Sequence, residues 1–115
     1  MPDTRSCIFC QIARGEIPAK MVVNNKELFA FRDINPQAPV HILIVPKKHV
    51  ASLDDVADSD LLGRMMALAA ALARQEKIAR SGYRTVGNTG ADGGQSVDHL
   101  HIHLLGGRAM SWPPG

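Results

Sequence analysis

The segment His99-Leu100-His101-Ile102-His103-Leu104-Leu105 constrains this chain more than any other. Polar and apolar residues alternate strictly, and a period of two is the signature of a half-buried β-strand. A strand over 99–105 puts the three histidines on one face, about 6.6 Å apart along the backbone, and turns Leu100, Ile102 and Leu104 into a core. Three of the chain's five histidines are spent in this way. A strand that only met solvent would be served as well by Lys, Thr or Glu.

Two kinds of chemistry suit the pattern. An i, i+2 histidine pair can share a metal ion, but three at this spacing need strong convergence, and no carboxylate lies between them. Alternatively, a neutral imidazole attacks phosphorus while a neighbouring one hydrogen-bonds an anion or donates a proton. The preceding loop bears on the choice. Residues 88–94 hold three glycines, an Asn and an Asp, and Gly90-Ala91-Asp92-Gly93-Gly94-Gln95-Ser96-Val97 runs straight into the histidines. A glycine-rich turn lets backbone N–H groups approach a phosphate closely.

The rest of the chain supplies a frame. Leu61, Met65, Leu68 and Leu72 recur at helical spacing, and Leu62, Met66, Ala69 and Ala73 widen the stripe, which predicts a long amphipathic helix over 59–79. Asp58 or Ser59 suits its N-cap and Gly82 its C-terminal cap. A short helix is expected over 10–14, stopped by Gly15 and Pro18. Strands are expected over 21–23, 28–31, 41–45, 84–86 and 99–105, the first two joined in a hairpin through Asn24-Asn25-Lys26. Five strands, one long helix and short connections predict an α+β fold, an antiparallel sheet covered by helices.

With 115 residues there is room for one domain, 1–115. Thirteen Lys and Arg against eleven Asp and Glu give a net charge of +2, which implies no nucleic-acid partner. The longest apolar run, 65–73, is nine residues, under half of the roughly 20 that cross a bilayer, so no membrane association is expected. Residues 1–6 are polar with one arginine and no apolar stretch. No secretory leader and a cytoplasmic location are therefore expected. Two cysteines, Cys7 and Cys10, form one C-x-x-C, which in a reducing compartment points to metal or redox chemistry.

The histidine strand resembles the histidine triad pattern, and the resemblance spans nearly the whole chain. Gly93-Gly94-Gln95-Ser96-Val97, Gly106-Gly107-Arg108 and the terminal Trp112-Pro113-Pro114-Gly115 are similar to the histidine triad (HIT) nucleotide-binding branch. So are Ile17-Pro18-Ala19-Lys20, Asp33-Ile34-Asn35-Pro36-Gln37-Ala38-Pro39-Val40-His41 and Val45-Pro46-Lys47-Lys48-His49. The resemblance implies a homodimer that meets through the long helix and a sheet edge. It implies a hydrolase of purine nucleoside phosphoramidates, releasing a purine nucleoside monophosphate and an amine through a nucleotidyl-histidine intermediate.

By the same resemblance, His101 is the nucleophile, His103 contacts phosphate, and His41 and His99 orient the centre. Ser96, the backbone N–H of Val97 and Asn88 are the phosphate and leaving-group contacts. Asp33 accepts the ribose hydroxyls, as its paired oxygens allow. Phe9, Ile12, Phe31, Ile34 and Leu43 match positions lining the base pocket, and plain core packing accounts for such residues equally well. Two positions depart from the pattern: Asp98 replaces a frequent aromatic, and Gly87 precedes Asn88 where a β-branched residue is common. Both bear on the leaving group. Within a subset of the superfamily a zinc ion is held by residues matching Cys7, Cys10, His49 and His99, a closed structural Cys₂His₂ set. Other readings are a dinucleoside polyphosphate hydrolase of the same superfamily and a nucleotide-binding regulatory protein.

Overall fold

A computed structural model describes residues 4–115; residues 1–3, part of the segment read for a leader, lie outside the described residues. Five strands form one sheet: β1 (Met21–Asn24), β2 (Leu28–Arg32), β3 (Val40–Pro46), β4 (Tyr83–Val86) and β5 (Ile102–Gly106). The order is β1-β2-β3-β5-β4 and every pairing is antiparallel. The first hairpin turns where the sequence places it. Asn25 Oδ1 accepts from the backbone N–H groups of Glu27 (3.0 Å) and Leu28 (2.8 Å), an Asx turn that closes the connection.

Side-chain alternation gives the sheet two different faces. Leu28, Ala30, Ile42, Ile44, Ile102 and Leu104 pack under helix α2 (Ser59–Gln75), against Leu61, Met65, Ala69, Leu72 and Ala73. Phe29, Phe31, Leu43 and Val45 face the other way and are covered by helix α1 (Ile8–Ala13) through Phe9 and Ile12. His41 and His103, pairing partners of Leu105 and Leu43, belong to this second face. Among the described residues, no helix is long and apolar enough to cross a membrane.

Three boundaries differ from the sequence-based expectation by two residues or more, each for a local reason. Helix α1 starts at Ile8, because Cys7 is its N-cap and its Sγ accepts from the Cys10 N–H at 3.4 Å. Helix α2 begins after an Asp58 cap as expected but stops at Gln75 instead of near Ala79. The left-handed residue after its Glu76 C-cap is Lys77, not Gly82: Lys77 has φ +62, and the N–H groups of Ile78 and Lys77 bond the Ala73 and Arg74 carbonyls. This is a Schellman closure, in which burial of Ile78 offsets the roughly 1–2 kcal/mol cost of a left-handed lysine.

The third difference bears on function. Strand β5 begins at Ile102, so His99 and His101 precede the ladder instead of lying within it. The next partners along the β3 register would include Pro46, which has no N–H to donate, and the pairing ends at Ile44↔Ile102. Freed from strand geometry, His99 and His101 take their own directions.

Candidate active site and metal centre

Five histidines are linked by contacts running from His49 through His99, His101 and His103 to His41, and hydrogen bonds define the tautomers of the last four. His101 is buried, and its Nδ1 lies 2.7 Å from the His99 carbonyl, an acceptor only. Nδ1 therefore carries the proton and Nε2 presents a lone pair. His41 is the reverse: its Nδ1 accepts from the Gln37 backbone N–H at 3.0 Å, which puts the proton on Nε2. That Nε2–H donates to His103 Nδ1 at 2.9 Å, with Asp33 Oδ2 at 3.4 Å. His103 is thereby left with its proton on Nε2, facing away from His41. The His101 and His103 rings lie 5.1 Å apart at 65°.

The His41 and His103 rings are held neutral. Burial pushes His103 down to about 4, reinforced by the neighbouring His101 and His41 and opposed only by Asp33. Burial lowers His41 too, with Asp33 pulling the other way. A neutral ring donating N–H next to a free imidazole lone pair is an arrangement for attack on an electrophile whose oxygens need a donor.

The cysteines form a separate centre. His99 is completely buried; its Nε2–H donates to the Pro46 carbonyl at 2.7 Å, which leaves Nδ1 unprotonated. Nδ1 lies 3.3 Å from Cys7 Sγ and 3.5 Å from Cys10 Sγ, and Cys10 Sγ lies 3.3 Å from His49 Nδ1. All four ligand atoms fall within 4.8 Å of one another. The edges of a tetrahedral N₂S₂ zinc site, built from its usual bond lengths, are about 3.3–3.8 Å. The donor set therefore fits such an ion, with the Pro46 carbonyl fixing the ligating tautomer of His99. Without a cation, burial and the adjacent Cys7 push the Cys10 thiol up to about 11, and burial lowers His99 to about 4.

Asp33, His41 and His103 also cluster closely enough for a metal, but their chemistry does not fit one. The Gln37 N–H occupies the lone pair of His41 Nδ1, so Nε2 must keep its proton and cannot ligate. This second cluster is a hydrogen-bonded relay.

The residues singled out from sequence fall around these histidines unevenly. Phe9, Ile12, Phe31 and Leu43 are buried together on the α1 face, whereas Ile34 is 96% exposed and does not join them. Ile34 instead lines a cleft of about 310 Å³ with Asp33 and His41. Asp33 Oδ1 accepts from the Asn35 N–H at 2.8 Å, leaving further lone pairs on the carboxylate. Asn88 and His101 line one cavity of about 360 Å³. Ser96, Val97 and Asp98 line another of about 510 Å³ with Cys7 and His49. A further cleft of about 680 Å³ touches His49 but none of His41, His101 and His103.

Sequence reasoning missed three groups that build the site. Gln95 ties the glycine-rich loop down, accepting from Gly90 N–H at 3.0 Å and donating to the carbonyls of Ala51 (2.7 Å) and Val97 (3.0 Å). Its side-chain amide, alone between glycines and Ser96, was the available signal. The Gln37 N–H and the Pro46 carbonyl are backbone groups and leave no mark in the residue pattern. In the loop itself Gly90 and Gly94 take φ of +72 and +74, which other residues adopt only with strain.

A five-stranded antiparallel sheet with three alternate histidines at the entry to one central strand, beside a glycine-rich loop, defines a histidine triad fold. The chain belongs to the HIT family: the HIT domain matches residues 14–110. The purine nucleoside phosphoramidase of Escherichia coli is 50% identical over 105 residues, covering 90% of this chain and 88% of that protein. A 14 kDa zinc-binding protein of Zea mays is 47% identical over 118 residues, 98% of this chain and 91% of that one. Among solved structures, a HIT family hydrolase from Legionella pneumophila superposes with a TM-score of 0.93 at 54% identity, covering 96% of this chain and all of that one.

Proposed function

We propose that this protein is a single-domain (1–115), cytoplasmic nucleoside phosphoramidate hydrolase, cleaving a purine nucleoside monophosphate from an amine. The observation that carries the reading is the His101 tautomer, whose Nδ1–H is spent on the His99 carbonyl and whose Nε2 lone pair is free. Its similarity to the Escherichia coli phosphoramidase supports the choice of a phosphorus–nitrogen bond.

His101 Nε2 attacks the α-phosphorus, a P–N bond to the ring forms, and the substrate P–N bond breaks. The amine leaves with its electron pair and takes up a proton. Water then attacks phosphorus, the bond to His101 breaks, and the nucleotide departs. His103 donates its Nε2–H to a phosphate oxygen, held in that tautomer by His41 and Gln37. Ser96 and the Val97 N–H contact the phosphate and leaving group with Asn88, Asp33 accepts the ribose hydroxyls, and Phe9, Ile12, Phe31, Ile34 and Leu43 border the base.

Zinc would be held by Cys7, Cys10, His49 and His99, where it would supply cross-linking, tying α1 to the loop before β5. The functional unit is a homodimer. Tyr83 on edge strand β4 and Met66 on α2 are exposed apolar side chains suited to an isologous contact.

The test is a side-by-side assay of adenosine 5′-phosphoramidate and a diadenosine polyphosphate. Faster turnover of the phosphoramidate, lost in His101→Ala, is the expected result. Preference for the polyphosphate would assign the chain to the other hydrolase class. Nucleotide binding without turnover of either would make it a regulatory binder.

A further inference from the structure

One hydrogen bond through Nδ1 decides which nitrogen of His101 is free, but it leaves the ring able to swing about that bond. Effective attack needs the lone pair aimed, since small misplacements of a reacting group carry large rate penalties. Something else must hold the ring, and the nearest aromatic neighbour outside the histidines is Phe9.

Phe9 lies edge-on to three rings at once: His101 at 5.0 Å and 84°, His99 at 5.8 Å and 72°, and Phe31 at 5.7 Å and 72°. It is buried on α1, between the two cysteines in sequence. A helix of six residues has little stability of its own. Its position rests on the burial of Phe9 and Ile12 and on the Cys7 and Cys10 contacts with His99. Any loosening of α1 therefore moves the ring packed against His101.

We propose that Phe9 is a positioning residue for His101, through which the cysteine-bearing helix α1 holds the nucleophile in its attacking orientation. Phe9 and the His103 ring, 5.1 Å away at 65°, bound the imidazole while the His99 carbonyl pins Nδ1. Edge-to-face contacts of this kind are directional, which an aliphatic side chain of similar volume does not reproduce. The proposal rests on the reading of His101 as nucleophile, and a measurement on the free protein separates the two.

The experiment compares the wild type with Phe9→Leu, which keeps apolar volume; Phe9→Met repeats the measurement where leucine disturbs folding. In histidine-¹⁵N-labelled protein at pH 8, without nucleotide, the exchange of the His101 Nδ1 proton with solvent is read by NMR. Steady-state rates are read with adenosine 5′-phosphoramidate. The expected result is Nδ1–H exchange faster by about ten-fold, and kcat lower by about ten-fold with KM changed less than about two-fold. A higher KM with kcat and exchange both unchanged overturns the proposal and leaves Phe9 no role beyond its place at the border of the base. Faster exchange in a protein that hydrolyses no phosphoramidate upholds the positioning role and removes the reading of the reaction.

Discussion

Acidification should destabilise this protein through His103, and the size of the effect follows from the relay. His103 Nδ1 accepts the Nε2–H of His41, so a proton added there sets two N–H groups against each other in a buried site. The folded-state value is about 4, against an ordinary 6.5 in the unfolded chain. The unfolded state therefore binds the proton more readily, and the stabilisation present above pH 6.5 is lost as pH falls toward 4. At pH 5 the loss relative to pH 7.5 is about 2 kcal/mol for this group alone. His41, also lowered, acts in the same direction. Urea unfolding of wild type and His103→Asn at both pH values measures the term, since the asparagine carbonyl can take the His41 hydrogen bond without titrating. The variant should lose about 2 kcal/mol less than the wild type over that interval. Equal losses in the two proteins would refute the assignment of His103 as a half-buried, neutral acceptor.

Three further outcomes test other parts of the structure. Met65→Ala empties a completely buried position between α2 and the sheet and should lower unfolding free energy by roughly 2–5 kcal/mol in denaturant titration. Lys77→Gly relieves the left-handed residue capping α2 and should raise stability by about 1 kcal/mol; a loss would show that the lysine side chain contributes more than its strain costs. Cys10→Ser should reduce bound zinc from about one per chain and lower the melting temperature, and wild-type protein purified without zinc and indifferent to chelation would contradict the metal assignment.

Much of this fold was written in periodicity. The alternation holds from Ile102 to Leu105, and there it reports a single buried face, as does the stripe Leu61, Met65, Leu68, Leu72; one-sided burial is what sequence patterns record best. The failures came where a backbone group decided the outcome. Pro46 ended the ladder one strand away from the histidines it released, a dependence of residue 99 on residue 46 that no local window contains. Lys77 took the place of a glycine cap because Ile78 had a core to enter, and that core exists only after α2 docks. The C-x-x-C pointed to metal or redox chemistry by itself, but His49 and His99 were legible as its partners only through family resemblance, since Cys7 and His99 are 92 residues apart in the chain. Geometry then added what composition cannot hold: the direction of each ring proton.

The central claim is that His101 Nε2 forms the covalent bond to phosphorus, and trapping that bond tests it most directly. Rapid acid quench during turnover of a ³²P-labelled, slowly hydrolysed nucleoside phosphoramidate, followed by proteolysis and mass spectrometry, locates the label. Nucleotidyl transfer to His101 alone, at Nε2, is the expected result, with none in His101→Ala, because Nδ1 is held by the His99 carbonyl. Label on His103 or His41, or turnover that persists in His101→Ala, would contradict it.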